Sequence, residues 1–102
     1  MSFAGQSIAI TGASSGLGLE LAREFAAQGA RVALMARDEE RLKKAAVECQ
    51  GDVLIFPGDV TQAEDCKNFI GKVVDEYGAL DRLVASAGQS MWARFEDVED
   101  LS

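Results

Sequence analysis

Short, almost continuously apolar runs alternate along the chain with longer segments in which apolar residues recur at helical spacing. The four short runs lie at 7–11, 31–36, 52–56 and 82–86. Strands that are apolar along their whole length are covered on both faces, as in a parallel sheet flanked by helices. We therefore predict four strands of a parallel sheet, with a helix in each of the three connections.

The three connecting segments carry the spacing and the boundary signals of amphipathic helices. Their apolar positions, in chain order, are Leu17, Leu21, Phe25 and Ala26; Leu42, Ala45, Ala46 and Cys49; and Cys66, Phe69, Ile70, Val73, Val74 and Tyr77. The glycines placed for left-handed caps after these helices are Gly29, Gly51 and Gly78. At the helix starts, Asp38 is a predicted N-cap, and Thr61 with Glu64 has the spacing of a capping box.

The predicted order βαβαβαβ belongs to the α/β class. Right-handed crossovers between its strands give a Rossmann-type doubly wound parallel sheet with strand order 3-2-1-4. Pro57 and Gly58 are expected to close the third strand, because proline donates no hydrogen bond to a ladder. At 102 residues the chain is expected to form a single domain. We interpret residues 1–102 as one truncated half of the doubly wound fold, with residues 89–102 as a tail leading toward a further helix.

A glycine-rich stretch, T-G-A-S-S-G-L-G at 11–18, directly follows the first predicted strand and opens the first predicted helix. A loop at this position binds phosphate, because the helix start presents unpaired N–H groups and a favourable dipole. We expect Gly12 to permit a tight turn, Gly16 to let a pyrophosphate approach the backbone, and Gly18 to let the helix pack closely on the sheet. The candidate cofactor-binding residues of the loop are Thr11, Gly12, Ser14, Ser15, Gly16, Leu17 and Gly18.

Two further motifs lie on the same predicted sheet edge, G-D-V at 58–60 and A-S-A-G at 85–88. Together with the glycine-rich loop they resemble, in order and spacing, the short-chain dehydrogenase/reductase family over nearly the whole chain. The resemblance implies an NAD(P)-binding Rossmann half-domain. It also implies that Asp59 and Val60 contact the adenine of a dinucleotide cofactor.

The A-S-A-G motif resembles a family motif that reads N-N-A-G. The resemblance implies that Ser86, Ala87 and Gly88 belong to the cofactor site, with Ala87 and Gly88 lining a ribose. Ala85 and Ser86 stand where the family has asparagines, and a serine supplies only part of the hydrogen-bonding capacity of an amide.

The choice between NADP and NAD is made near the end of the second strand, which closes as L-M-A-R-D at 34–38. An acidic side chain there accepts the ribose 2′-hydroxyl of NAD, whereas an arginine suits the 2′-phosphate of NADP. Ala36 stands where NAD-dependent relatives carry the acid, and Arg37 follows it. Asp38 lies at the nominal distance for a ribose-binding acid, but we assign it to the cap of the second helix. We predict NADP(H) as the preferred cofactor and NAD(H) as the alternative.

No catalytic residue is assigned in these 102 residues. The resemblance implies reduction of a carbonyl or oxidation of an alcohol by hydride transfer, which relies on a serine and on a tyrosine with a lysine four residues later. Tyr77 is the only tyrosine, and Asp81 lies four residues after it. A carboxylate there opposes the ionisation that a base requires, so we interpret Tyr77 as a core residue. Histidine, a common general base, is absent from the sequence.

The resemblance places the catalytic residues after the A-S-A-G motif, beyond the point that this sequence reaches. We therefore expect the chain to be the amino-terminal, cofactor-binding portion of an NADP(H)-dependent short-chain oxidoreductase. By itself it would be inactive, and a small carbonyl or alcohol substrate would bind only if the missing half were supplied. The alternative is a stand-alone nucleotide-binding module, or one completed by a partner, without catalytic activity. An apolar strand at 82–86 that lacks its outer neighbour would favour self-association through its edge.

Composition excludes several other classes of function. The net charge is −7 and the lysines and arginines are scattered, so nucleic acid is not an expected partner. No apolar run approaches the roughly 18 residues of a membrane span, and the first residues lack the pattern of an export signal. Cys49 and Cys66 form no C-x-x-C pair and suggest buried thiols in a reducing cytoplasm. No metal site is predicted.

Overall fold

The computed structural model describes residues 3–14, 16–51 and 53–85, so the predictions at Ser15, Asp52 and 86–102 lie outside the described residues. The strands are β1 (Ser7–Thr11), β2 (Arg31–Ala36), β3 (Val53–Pro57) and β4 (Arg82–Ala85). The helices are α1 (Gly16–Ala27), α2 (Glu39–Glu48) and α3 (Ala63–Tyr77). All paired strands are parallel, in the order β3-β2-β1-β4. This order confirms the predicted α/β doubly wound sheet.

Alternating side chains divide the core into two layers, one on each face of the sheet. Ile8, Ile10 and Leu34 point to the layer shared with α1 and α2. Ala9 and Met35 point to the opposite layer, which α3 covers. The central strands β1 and β2 are buried almost throughout, as the apolar runs predict, whereas β3 and β4 are partly buried. The outer strands β3 and β4 are less buried because, within the described residues, each pairs with another strand on only one side.

Helix α1 confirms part of its predicted apolar stripe, because Ala26 is buried and Phe25 packs partly buried against the core. Its buried residues are Gly18, Ala22 and Ala26. Leu17 is 66% exposed, so its assignment to the apolar stripe is wrong. A stripe of small residues lets the helix axis approach the sheet closely, which is the packing role predicted for Gly18. Helix α3 shows a smaller difference, because Val74 lies at the edge of its apolar stripe and is 42% exposed.

Two of the three predicted glycine caps are present. Gly29 and Gly78 follow α1 and α3 with φ of 89° and 85°, as a left-handed C-terminal cap requires. The prediction for Gly51 is wrong, because α2 ends at Glu48 with an extended Cys49 as its cap. Gly51 has φ of 80°, but it lies in the turn beyond that cap.

The predicted capping box at the start of α3 is absent. The N-cap residue is Gln62, which makes no side-chain capping bond. The Thr61 hydroxyl donates instead to Asp59 Oδ1 at 2.7 Å, so it belongs to the preceding loop rather than to the helix. By contrast, the Asp38 cap of α2 is confirmed, since its Oδ1 accepts a hydrogen bond from Arg41 N at 3.1 Å.

Strand β3 begins at Val53 and includes Pro57, one residue beyond the predicted end. A proline is tolerated there because β3 is the outer strand on its side of the sheet in the described part of the chain, where no further strand needs its missing N–H. The next residue, Gly58, donates its N–H to the Ala36 carbonyl at 2.9 Å and so continues the pairing with β2.

A polar network centred on Ser7 joins the amino ends of three strands. Ser7 is completely buried, and its N–H donates to Asp81 Oδ2 at 2.8 Å. The Asp81 N–H donates to the Ser7 carbonyl at 2.9 Å, and a terminal guanidinium nitrogen of Arg31 donates to Ser7 Oγ at 3.0 Å. These bonds satisfy the buried polar groups of Ser7 and align the entry of β4 beside β1.

Replacing Asp81 with alanine should lower the free energy of unfolding by about 1–3 kcal/mol, because the buried Ser7 N–H would lose its acceptor. Chemical denaturation of the two proteins measures the difference. The control is Asp75→Ala, which removes the same charge from an exposed position on α3 and should change stability by less than about 0.5 kcal/mol. Equal effects of the two substitutions would contradict a specific role for Asp81.

Candidate functional site

The loops that follow β1 and β3 are both hydrogen-bonded to the carboxyl end of β2. The Gly12 N–H donates to the Met35 carbonyl at 2.9 Å, and the Gly58 N–H donates to the Ala36 carbonyl at 2.9 Å. The glycine-rich loop, the end of β2 and the start of the G-D-V motif therefore lie together at one edge of the sheet. Sequence reasoning missed Met35 and Ala36 as organisers of this edge, because their backbone carbonyls leave no signature in side-chain motifs.

The glycine-rich loop has the backbone conformation that its glycines predict. Gly12 and Gly16 have φ of 66° and 59°, in the left-handed region that side chains disfavour. A Cβ built on Gly16 would have no atom within 4 Å, so the space in front of this residue is open. Thr11 is completely buried at the end of β1, whereas Ser14 is partly buried and Leu17 is exposed.

Helix α1 begins at Gly16, directly at the open side of the loop, and has no acidic residue in its first turn. The other two helices do carry acids in their first turns, and these residues are Glu39, Glu40, Glu64 and Asp65. A helix start combines unpaired N–H groups with the positive end of the dipole, and nearby carboxylates compete with a bound anion for both. The start of α1 is therefore the helix start in the described structure that is best suited to a phosphate.

The end of β2 presents Arg37 to solvent, one residue after the buried Ala36. Within the described ranges, Arg37 makes no hydrogen bond or ion pair. Asp38 is engaged instead with α2: besides its cap bond to Arg41 N, it lies 3.8 Å from Arg41 Nε. The carboxylate that could receive a ribose hydroxyl is thus occupied with the helix start, and the guanidinium beside it is available for an anion.

The G-D-V motif forms a compact turn between β3 and α3. Asp59 Oδ1 accepts hydrogen bonds from the Thr61 N–H at 2.9 Å and from the Thr61 hydroxyl, and the Asp59 carbonyl accepts from Gln62 N at 2.9 Å. The Val60 N–H has no hydrogen-bond partner among the described residues. Asp59 and Val60 are both partly buried, so the turn is ordered by its own bonds while Val60 keeps a donor for another group.

Tyr77 lies at the opposite, amino edge of the sheet. Its hydroxyl donates to the Val32 carbonyl at 3.0 Å, and the Arg31 guanidinium carbon lies 5.0 Å from its ring centroid. These contacts support the interpretation of Tyr77 as a packing residue rather than as a catalytic one. Across the described parts of the chain, no group of acidic or cysteine side chains is arranged to hold a metal ion. The helices described there are too short or too polar to cross a membrane.

A groove of about 450 Å³ extends along α1 from Leu17, at this sheet edge, to Ala27. Its lining residues are Leu17, Glu20, Leu21, Arg23, Glu24, Ala27, Glu48 and Gln50. The carboxylates of Glu20, Glu24 and Glu48 outnumber the one arginine and would repel phosphate groups. The groove is therefore not suited to the anion that the glycine-rich loop can hold.

Cys49 and Cys66 are thiols that are not joined in a disulfide, with Cys66 buried and Cys49 partly buried. Burial raises the pKa of the Cys49 thiol, the neighbouring Glu48 raises it further, and Arg23 partly offsets the increase. The neutral thiol is favoured as a result, so Cys49 lacks the thiolate character of a catalytic or redox cysteine.

Comparison with known proteins identifies relatives of this arrangement. A family model described as short chain dehydrogenase matches residues 6–102. A relative from Arabidopsis thaliana, "11-beta-hydroxysteroid dehydrogenase-like 2", is 45% identical over 101 residues, which is 95% of this chain and 33% of the relative.

Solved structures show the same similarity. A short-chain type dehydrogenase/reductase from Mycobacterium marinum has a TM-score of 0.81 and 30% identity over 95% of this chain and 45% of the other. A 3-ketoacyl-(acyl-carrier-protein) reductase from Brucella melitensis, complexed with NADH, has a TM-score of 0.76 and 30% identity over 80% of this chain and 34% of the other. The chain spans about a third of the length of the curated relatives that it matches.

Proposed function

Because the chain belongs to the short chain dehydrogenase family, we propose that the carboxyl edge of its sheet binds NADP(H). We further propose that it is the amino-terminal, cofactor-binding portion of an oxidoreductase that interconverts a small carbonyl compound and the corresponding alcohol. The observation that carries the proposal is the start of α1. An open glycine loop and a first turn without carboxylates lie there, beside the end of β2.

The described residues of this edge fit a dinucleotide. Gly12, Ser14, Gly16 and Leu17 surround the helix start, where the pyrophosphate would lie against backbone N–H groups. Thr11 and Gly18 shape the loop from within the core, since both are buried. At the other end of the site, Asp59 and the Val60 N–H would face the adenine. Four further residues belong to the proposal through their motifs and lie outside the described residues: Ser15, Ser86, Ala87 and Gly88.

The cofactor, when bound, supplies or accepts the hydride, and the residues of this chain bind and orient it. Two of the similar proteins, the 11-beta-hydroxysteroid dehydrogenase-like protein and the 3-ketoacyl-(acyl-carrier-protein) reductase, are named for the interconversion of an alcohol and a ketone. We propose the same reaction class for the whole protein. The described residues provide no tyrosine–lysine pair at this edge, so we expect the 102-residue chain to bind the cofactor without turnover. A cytoplasmic location stays a prediction.

The proposed preference for NADP(H) follows from the charges at the end of β2. Arg37 is exposed and has no partner in the described structure, whereas Asp38 is held by the start of α2. A 2′-phosphate beside Arg37 would gain a charge-assisted hydrogen bond, and a guanidinium can make this contact with two nitrogens. NAD(H), which lacks that phosphate, would gain no such contact.

Replacing Gly16 with valine should abolish cofactor binding, because the new side chain would occupy the open space in which the pyrophosphate lies. Fluorescence titration with NADPH measures the loss. The matched control is Gly51→Val, which introduces a side chain at a similarly positive φ into open space in the turn between α2 and β3. Unchanged NADPH affinity in the Gly16 variant would remove the glycine-rich loop from the site.

Replacing Arg37 with alanine should weaken NADPH binding by roughly 1.5–3 kcal/mol, the worth of one charge-assisted hydrogen bond, and leave NADH nearly unchanged. Parallel titrations with the two cofactors give the comparison. Arg23→Ala, which removes the same charge from the outer face of α1, is the control. Equal losses for NADPH and NADH would refute the assignment of Arg37 to the 2′-phosphate.

We also propose that β4 pairs with a further strand, from the rest of the fold or from a second copy. Within the described residues, Leu83, Val84 and Ala85 form an apolar strand with a neighbour, β1, on one side. Exposed apolar edges of this kind associate. The solution mass of the 102-residue chain, measured by light scattering over a range of concentrations, should therefore exceed that of a monomer. A monomer at every concentration would contradict pairing between copies.

A further inference from the structure

We infer that Asp65 and Cys66 are positioning residues, which orient the turn at Asp59 and Val60 for the adenine of the cofactor. These consecutive side chains belong to the first turn of α3. The inference rests on the proposed function, because it concerns how the proposed adenine contacts are held in place. Neither residue belongs to a motif that the sequence analysis singled out as functional.

Asp65 holds the entry to the turn. Its Oδ2 accepts a hydrogen bond from the Asp59 N–H at 2.8 Å, across a separation of six residues. A first-turn carboxylate commonly satisfies N–H groups at the start of its own helix. This one reaches back to the residue that follows Gly58 instead. Its bond is charge-assisted and ties the turn to the body of α3.

Cys66 holds the next residue of the turn. Its Sγ donates to the Val60 carbonyl at 3.4 Å, and the residue is completely buried in the core layer that contains Phe69 and Met35. Because the surrounding core fixes the sulfur, the hydrogen bond also restrains the Val60 carbonyl. Asp65 thus binds the Asp59 N–H and Cys66 binds the Val60 carbonyl. These two backbone groups flank the peptide group that joins Asp59 to Val60.

The group left unpaired between these two anchors is the Val60 N–H, a donor without a partner in the described part of the chain. Its direction depends on the peptide group that Asp65 and Cys66 restrain. An ordered donor loses less conformational freedom on binding than a mobile one, so the restraint raises the affinity for the group that the donor meets. In the proposed site that group is the adenine.

The decisive variant is Asp65→Ala, tested by calorimetric titration of the full chain with ADP and, separately, with nicotinamide mononucleotide. ADP carries the adenine end of either cofactor, so the result is independent of the choice between NADP and NAD. We expect the Kd of ADP to rise roughly five- to tenfold, as the loss of one ordering hydrogen bond implies, and that of nicotinamide mononucleotide to stay unchanged. A merely structural defect would weaken both ligands alike.

Glu64→Ala is the matched control, because Glu64 is an exposed carboxylate in the same turn of α3 with no partner in the described structure. It removes the same charge and should change ADP affinity by less than about twofold. Asp65→Asn keeps a neutral acceptor and should recover part of the lost affinity. If Asp65→Ala does not fold, Asp65→Asn and Cys66→Ala provide the test, each with an expected selective loss of ADP affinity.

Amide hydrogen exchange in the ligand-free protein measures the restraint itself. Asp65→Ala should speed exchange of the Asp59 amide at least fivefold relative to Glu64→Ala, because its acceptor is gone. If the unaltered chain fails to bind ADP, the proposed function fails, and the inference fails with it. If the unaltered chain binds ADP and Asp65→Ala binds it as Glu64→Ala does, the inference is overturned while the proposed function stands.

Discussion

Two backbone carbonyls at the carboxyl end of β2 determine how the rest of the candidate site is arranged. Met35 accepts the N–H of Gly12 and Ala36 accepts the N–H of Gly58, so the loops after β1 and β3 approach the central strand from opposite sides. Parallel pairing brings the carboxyl ends of all four strands to the same edge, and these two hydrogen bonds hold the loops there. Arg37, the residue that follows β2, consequently lies between the loop proposed for the pyrophosphate and the turn proposed for the adenine.

The amino and carboxyl edges of the sheet differ in how far their polar groups are hydrogen-bonded. At the amino edge, Arg31 and Asp81 satisfy the buried polar groups of Ser7, and the Tyr77 hydroxyl donates to the Val32 carbonyl. Such a closed network stabilises the entry to the sheet and leaves little bonding capacity for a ligand. At the carboxyl edge, the Val60 N–H and the Arg37 guanidinium remain without partners in the described structure. The contrast in hydrogen bonding, rather than the depth of a cavity, supports the proposal that the carboxyl edge binds the cofactor.

The three helix starts also differ in how they use negative charge. Helix α2 is capped by Asp38, and α3 uses Asp65 to anchor the preceding turn. Helix α1 has no acid in its first turn, so its dipole and N–H groups remain available for an anion. The helix start that follows a strand thus has a different role in each case. A carboxylate caps the start of α2 and anchors the preceding turn at α3, whereas α1, which has no carboxylate in its first turn, is proposed to bind phosphate.

The sequence by itself determined the class of fold, the strand order and the position of the glycine-rich loop. Apolar periodicity and turn residues are local signals, and right-handed crossovers leave few ways to connect the resulting strands. The Asp38 cap was predictable for the same reason, since a cap involves residues within one turn of a helix.

The tertiary structure alone decided that Leu17 lies outside the buried face of α1 and which partners the polar side chains bind. Leu17 has the spacing of a core residue, but the close approach of α1 to the sheet is made by Gly18 and Ala22, and Leu17 is left exposed. Thr61 has the spacing of a capping residue, yet its hydroxyl binds Asp59 once the loop is folded. Helix faces and hydrogen-bond partners depend on the distances between elements, and a local pattern contains no information about those distances.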